Sequence, residues 1–85
     1  MFQYKVDVSK GESEIVQLHA FTLGYFWEFD QCKQNDRNFP CHLHSHYLYF
    51  NKNGEIWFSD DLRYFRNERE HMLITPSDFL QLNKK

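Results

Sequence analysis

The sequence predicts an α+β domain: a small, mainly antiparallel sheet with one main helix packed on it and a short C-terminal helix. Three observations carry that expectation. Phe2–Val8 alternates apolar and polar residues, the period of a strand buried on one face. Two aromatic runs, Tyr47–Phe50 and Ile56–Phe58, flank Asn53-Gly54, a dipeptide suited to the positive φ angles of a tight hairpin. Between them, Glu12–Leu23 reads as a helix that stops at Gly24.

Taken in order, the first strand turns Phe2, Tyr4, Val6 and Val8 to one side, and Ser9-Lys10-Gly11 breaks it. Ser9, Gly11 and Ser13 compete as the helix entry, with Glu12 and Glu14 suited to the positive N-terminal end. Ile15, Val16, Leu18, His19, Leu23, Ala20 and Phe21 supply a broad apolar side. Tyr25–Phe29 is a short aromatic strand or a tight exit from the helix. The polar stretch Asp30–Pro40 is the longest expected loop.

The hairpin register decides which side chains share a face, because a one-residue slip turns each of them over. A two-residue loop would pair Phe50 with Trp57. A three-residue loop, Lys52-Asn53-Gly54, pairs Phe50 with Ile56 and Leu48 with Phe58. It separates an aliphatic-aromatic face (Leu48, Phe50, Ile56, Phe58) from an amphipathic one (Tyr47, Tyr49, Glu55, Trp57). Buried faces favour the first kind of surface, so the three-residue loop is expected. Asp60-Asp61 ends the hairpin, and Leu62–Phe65 is a short extended piece or a single turn. His71–Ile74 reads as a last strand. Thr75-Pro76-Ser77-Asp78 starts the final helix, with Thr75 as N-cap, Pro76 at N1 and Asp78 facing the helix end.

Eighty-five residues make one domain, 1–85, near the lower limit for a self-sufficient core. A hydrophobic content of 41% argues against disorder. Nine Phe, five Tyr and two Trp are more aromatics than so small a core can hold, so some are expected at the surface. A net charge of −2 argues against a sequence-independent grip on nucleic acid. Two cysteines make no disulfide scaffold, and there is no membrane-length apolar run, so a protein of a reducing cytoplasm with no membrane partner is expected.

Three surfaces are candidate sites. The first is the outer hairpin face, Tyr47, Tyr49 and Trp57, with Tyr25 or Trp27 as further members; Tyr and Trp dominate protein interfaces. One long helix cannot cover both sheet faces, which leaves this one exposed for a partner. The second is Arg63–Arg69, where Arg63, Tyr64, Phe65, Arg66 and Arg69 alternate basic and aromatic groups able to pair phosphates and stack bases. Its plainer reading is a solvated edge with Tyr64 or Phe65 in the core. The third is Cys41-His42-Leu43-His44-Ser45-His46. In an extended strand His42, His44 and His46 share a face, and Cys32, Cys41 or His19 would complete a zinc site. No CxxC or HExxH supports it, and histidines on the side of Leu48 and Phe50 can simply bond carbonyls at the core rim. No nucleophile elbow or phosphate-cradling glycine loop is present, and Asp60, Asp61, Glu68 and Glu70 suit solvated turns, so no enzymatic activity and no cofactor are expected.

Leu23-Gly24-Tyr25-Phe26-Trp27, the Tyr47–Phe58 hairpin with Asn53-Gly54, and Ile74-Thr75-Pro76-Ser77-Asp78-Phe79-Leu80 follow one another as in a loose group of small accessory proteins of tailed bacteriophages, which the chain resembles over residues 12–82. The shared motifs are structural. The N-terminal strand and the Cys-His run depart from the pattern. The resemblance implies a cytoplasmic protein of the bacterial host that binds a host or defence protein and inhibits or redirects it. RNA binding through Arg63–Arg69 is the alternative, and a further one is an oligomeric sponge that clamps a nucleotide signal between aromatics.

Overall fold

The computed structural model describes residues 1–28 and 38–83. Four strands and three helices follow one another as β1 (Tyr4–Asp7), α1 (Ser13–Thr22), β2 (Tyr47–Phe50), β3 (Ile56–Ser59), α2 (Leu62–Asn67), β4 (Met72–Leu73) and α3 (Pro76–Phe79). The sheet order is β3-β2-β1-β4. β1 and β3 are antiparallel to β2, while β4 runs parallel to β1, so the sheet is mixed, with most of its pairing antiparallel. The α+β class, the main helix and the short C-terminal helix agree with the sequence.

The hairpin takes the three-residue loop. Phe50 pairs with Ile56, Leu48 with Phe58 and Tyr49 with Trp57. The Gly54 N–H donates to Asn51 O at 2.9 Å, and Asn51 and Glu55 close the ladder above it. Gly54 has φ +95°, and a Cβ there would lie 2.6 Å from Cε1 of Phe26. Conformation and close approach therefore both demand glycine. Phe26 lies so near because it extends the sheet at the β3 edge: its N–H donates to Gly54 O, and its carbonyl accepts from Ile56 N. Tyr25–Trp27 is thus the aromatic exit from α1, with a single parallel bridge to the hairpin; Phe29 lies outside the described residues.

α1 ends in a Schellman motif. The Tyr25 N–H reaches Ala20 O at 3.1 Å and the Gly24 N–H reaches Phe21 O at 3.2 Å, with Gly24 at φ +101°. Its buried side differs from the expected stripe. Val16 and Ala20 are inside, but Ile15 and Leu18 are exposed, and their places are taken by Ser13 and Gln17. The reason is Gln17, which is fully buried and meets four groups. Its Nε2 donates to Ser13 Oγ and Cys41 O, and its Oε1 accepts from Trp27 Nε1 and Cys41 N, at 2.6–2.9 Å. This amide joins α1 to the aromatic exit and to the chain entering β2, and a saturated polar group can be buried at little cost.

One sheet face carries Val6, Val8, Leu48, Phe50 and Ile56, packed with Val16, Ala20, Tyr25, Trp27 and Phe79 in a single cluster. Tyr25 and Trp27 therefore belong to the core and not to the outer hairpin face. Phe2, expected on the buried side, is 72% exposed because the strand begins only at Tyr4. α3 starts as its sequence predicts: Thr75 Oγ1 accepts from Asp78 N at 3.0 Å with Pro76 at the first position. Phe79 then stacks on Phe50 at 4.7 Å.

Candidate functional site

The opposite sheet face is not open. Leu62–Phe65, expected as an extended piece or one turn, lies in the helix α2 (Leu62–Asn67), and Phe65 from it stacks on Tyr47 at 4.3 Å. Asp61 starts α2 by accepting the Tyr64 N–H at 3.0 Å, a side-chain cap at an extended residue. Tyr47 and Tyr49 are consequently 6% and 2% exposed, which removes them from the free surface. A second buried cluster of Tyr47, Tyr49 and Phe65 results.

Beside that cluster lies a polar network that the sequence did not reveal. Lys5, on the polar side of β1, is buried; its ammonium donates to Phe65 O and Glu68 O and lies 5.0 Å from the Phe65 ring centre. The Glu68 carboxylate is 3.9 Å from Lys5 Nζ and 2.6 Å from His71 Nδ1. His71 Nε2 meets Asn51 Oδ1 at 2.7 Å, and Asn51 Nδ2 donates to Glu55 O. Both ring nitrogens of His71 thus face oxygen atoms, of Glu68 on one side and Asn51 on the other. Burial would push the Glu68 carboxyl up, but the ring and main-chain hydrogen bonds of His71, its charge, and the Glu70 N–H outweigh this and hold it below the usual range. Burial, then the neighbouring Tyr64, Glu68, Asp61 and Tyr47, push the Tyr49 phenol far above its ordinary value.

Around this covered face, Trp57 and Tyr64 remain accessible, each 47% exposed. They flank Tyr49: Trp57 is its cross-strand partner, and the Tyr64 ring meets it edge-on at 5.6 Å. Trp57 Nε1 donates to Glu55 at 3.3 Å. Arg63, Arg66 and Arg69 are exposed, and among the described residues no side-chain hydrogen bond or ion pair engages them. Of the seven residues expected to meet a partner, then, five lie at the surface and two beneath α2. A sequence signal for α2 existed in Asp61 as a cap, but six residues are too few for a helical period to show.

The histidine run is not an extended strand. β2 begins at Tyr47, and residues 42–45 form a turn closed by Ser45 N to His42 O at 3.1 Å, with His42 at φ +53°. His42, His44 and His46 therefore do not share a strand face. His42 stacks on Phe58 at 3.8 Å and lies 5.0 Å from Trp27, at the rim of the first core. His44 and His46 are exposed, and the His46 main chain is bonded to Asp60. His19 instead meets Leu82 O at 2.7 Å, tying α1 to the C-terminal segment. Cys41 is disulfide-bonded, so its sulfur is not a zinc-binding thiolate in this state; such a bond also persists poorly in reducing surroundings. Cys32 and most of the 30–40 loop lie outside the described residues. Among the described residues no three His, Cys, Asp or Glu side chains are grouped to hold a metal ion. Nor is any described helix long and apolar enough to cross a membrane.

Comparison of the chain with protein-family models, with curated proteins and with solved structures finds no match.

Proposed function

We propose that this domain is a non-enzymatic binding protein that engages another protein through Trp57 and Tyr64, with Arg63, Arg66 and Arg69 bordering the contact. In the setting implied by the phage resemblance, that partner is a host or defence component, which the domain inhibits or redirects. The carrying observation is the pair of half-exposed aromatics flanking the buried Tyr49. Trp57 is held on a paired strand of the sheet, so little ordering entropy is lost when it is covered. Aromatic and arginine side chains in such a setting are the usual energetic centres of protein interfaces.

RNA is the second reading, favoured by the unpaired arginines beside Tyr64. Charge weighs against it. From Glu55 to Glu70 the chain has Arg63, Arg66 and Arg69 against Glu55, Asp60, Asp61, Glu68 and Glu70. A mixed surface of this kind suits a protein with both signs better than a polyanion.

The test is affinity capture from a bacterial lysate with the wild type and with Trp57→Ala/Tyr64→Ala, each with and without ribonuclease. A protein retained in near-equal amount after ribonuclease and lost with the double variant, whose melting temperature is checked separately, supports the proposal. Equal retention by a folded double variant overturns the site. Loss of all bound material on ribonuclease treatment transfers the function to RNA.

A further inference from the structure

We infer that α2 is a lid: it opens as a unit over the Tyr47–Tyr49 face while the rest of the fold stays intact. The inference does not rest on the partner proposed above, and its test needs none. α2 has six residues, and Phe65 is its one buried side chain. A helix of this length has little stability of its own, so its position depends on what holds it down. Apart from the Phe65 ring and the edge-on contact of Tyr64 with Tyr49, the fastenings are polar and concentrated at its C-terminal end. Lys5 takes the carbonyls of Phe65 and Glu68, and Glu68 is tied through His71 to Asn51 at the hairpin. The N-terminal end is a hinge of local bonds, Asp61 N to Ser59 Oγ and Tyr64 N to Asp61 Oδ1, both of which can persist when α2 swings away.

The two states differ in a defined way. Closing buries the Phe65 ring against Tyr47 and Tyr49 and completes the Lys5–Glu68–His71 network, which is strong only while all its members are present. Opening returns these charges to water and uncovers Tyr47 and Tyr49. The latter hydroxyl is buried in the closed state with no protein partner among the described residues, a cost that opening removes. The first core is untouched, because Val6, Leu48, Phe50 and Ile56 point to the other side of the sheet. Segments with few buried apolar contacts and polar fastenings are the ones that open below the global unfolding free energy.

Amide hydrogen exchange by NMR tests this on the whole chain. The reporters on the lid are the N–H groups of Phe65, bonded to Asp61 O, and Glu68, bonded to Tyr64 O, which exchange once α2 is released because so short a helix does not hold its own bonds without packing. Those on the body are Val8, bonded to His46 O, and Ile56, bonded to Phe26 O. The lid amides are expected to exchange at least about tenfold faster than the body amides and with a weak dependence on denaturant. Glu68→Gln should accelerate the lid amides by a further factor of about ten, the shift expected from weakening a charge-assisted hydrogen bond, and leave Val8 and Ile56 unchanged. Lys5→Met, which keeps the stem's burial and removes its donors, should act in the same direction and guards against a peculiarity of the glutamine. If lid and body amides exchange together with the denaturant dependence of global unfolding, or if either variant accelerates all four alike, α2 is part of the cooperative core and the lid is refuted.

Discussion

The two faces of this sheet are covered by different chemistry. On one, Val6, Val8, Leu48, Phe50 and Ile56 meet two helices and the aromatic exit from α1, and the buried polar amide among them, Gln17, is neutral and saturated. On the other, Tyr47 and Tyr49 meet a single short helix, and the polar groups beside them, Lys5, Glu68 and His71, are ionisable, with Lys5 and Glu68 an ion pair. Hydrophobic burial is additive and insensitive to pH, whereas a buried ionic network holds only while each member keeps its charge. The first face should therefore set the stability of the domain, and the second should set how its surface responds to conditions.

The largest expected effect separates the faces directly. Phe50→Ala removes a fully buried ring that stacks on Phe79 and meets Tyr25 edge-on at 5.1 Å. A loss of about 4 kcal/mol is expected, enough to bring so small a domain close to unfolding. Phe65→Ala empties the thinner cover of the second face and should cost about 2 kcal/mol, below the usual range for a core phenylalanine, because α2 can collapse or detach without disturbing the first core. Chemical denaturation of both variants measures the contrast. Equal losses would mean that the two faces form one cooperative core.

This contrast also marks what the sequence made legible. The apolar face could be read because alternation in β1 and the Leu48, Phe50, Ile56, Phe58 pattern agree on one register, and the turn chemistry of Asn53-Gly54 agrees with both. Periodicity failed on α1, where Ile15 and Leu18 imitate a core stripe while Gln17 takes the core position. Nothing within α1 shows that Gln17 will meet Trp27 and a Cys41 main chain twenty-four residues away. It failed again for Lys5, whose place on the polar side of a strand predicts solvent. Only the arrival of Phe65 and Glu68, sixty and sixty-three residues later, makes burial tolerable. Most of the candidate site was visible as composition, in Trp57, Tyr64 and the arginines. Which tyrosines would be covered was not, because the cover is a helix too short to announce itself. The histidine run misled because identical spacing serves a strand or a turn, and His42 at positive φ selects the turn.

Acid gives a smaller effect that should act on the second face alone. The Glu68 carboxyl is held below its ordinary value of 4.5 when folded. A carboxyl depressed by folding contributes stability that is fully present above its unfolded value and is lost as pH falls through the folded value. Protonating Glu68 also leaves the buried Lys5 ammonium without its counter-charge. Lowering the pH below the ordinary carboxylate range should therefore disturb the NMR signals of α2 and His71 before those of Val6, Leu48 and Ile56. In Glu68→Gln the difference in order should disappear. Simultaneous loss of both sets in the wild type would count against an independent second face.

The smallest effect has the opposite sign. Tyr49 is 2% exposed, and its hydroxyl meets no protein partner among the described residues, while burial pushes the phenol's ionisation far up. Its ring is needed, since it contacts Tyr64, Phe65 and His71 at 5.5–6.0 Å; its oxygen is not. Tyr49→Phe keeps the ring and removes a desolvated polar group, so the variant should be more stable by about 1 kcal/mol. For a chain of this size that is a rise in melting temperature of roughly 4–8 °C. Because α2 closes over this hydroxyl, the gain should appear mainly as slower exchange of the Phe65 and Glu68 amides. A fall in melting temperature would show that solvent satisfies the oxygen beneath α2, making the second face wetter and its contrast with the apolar face greater still.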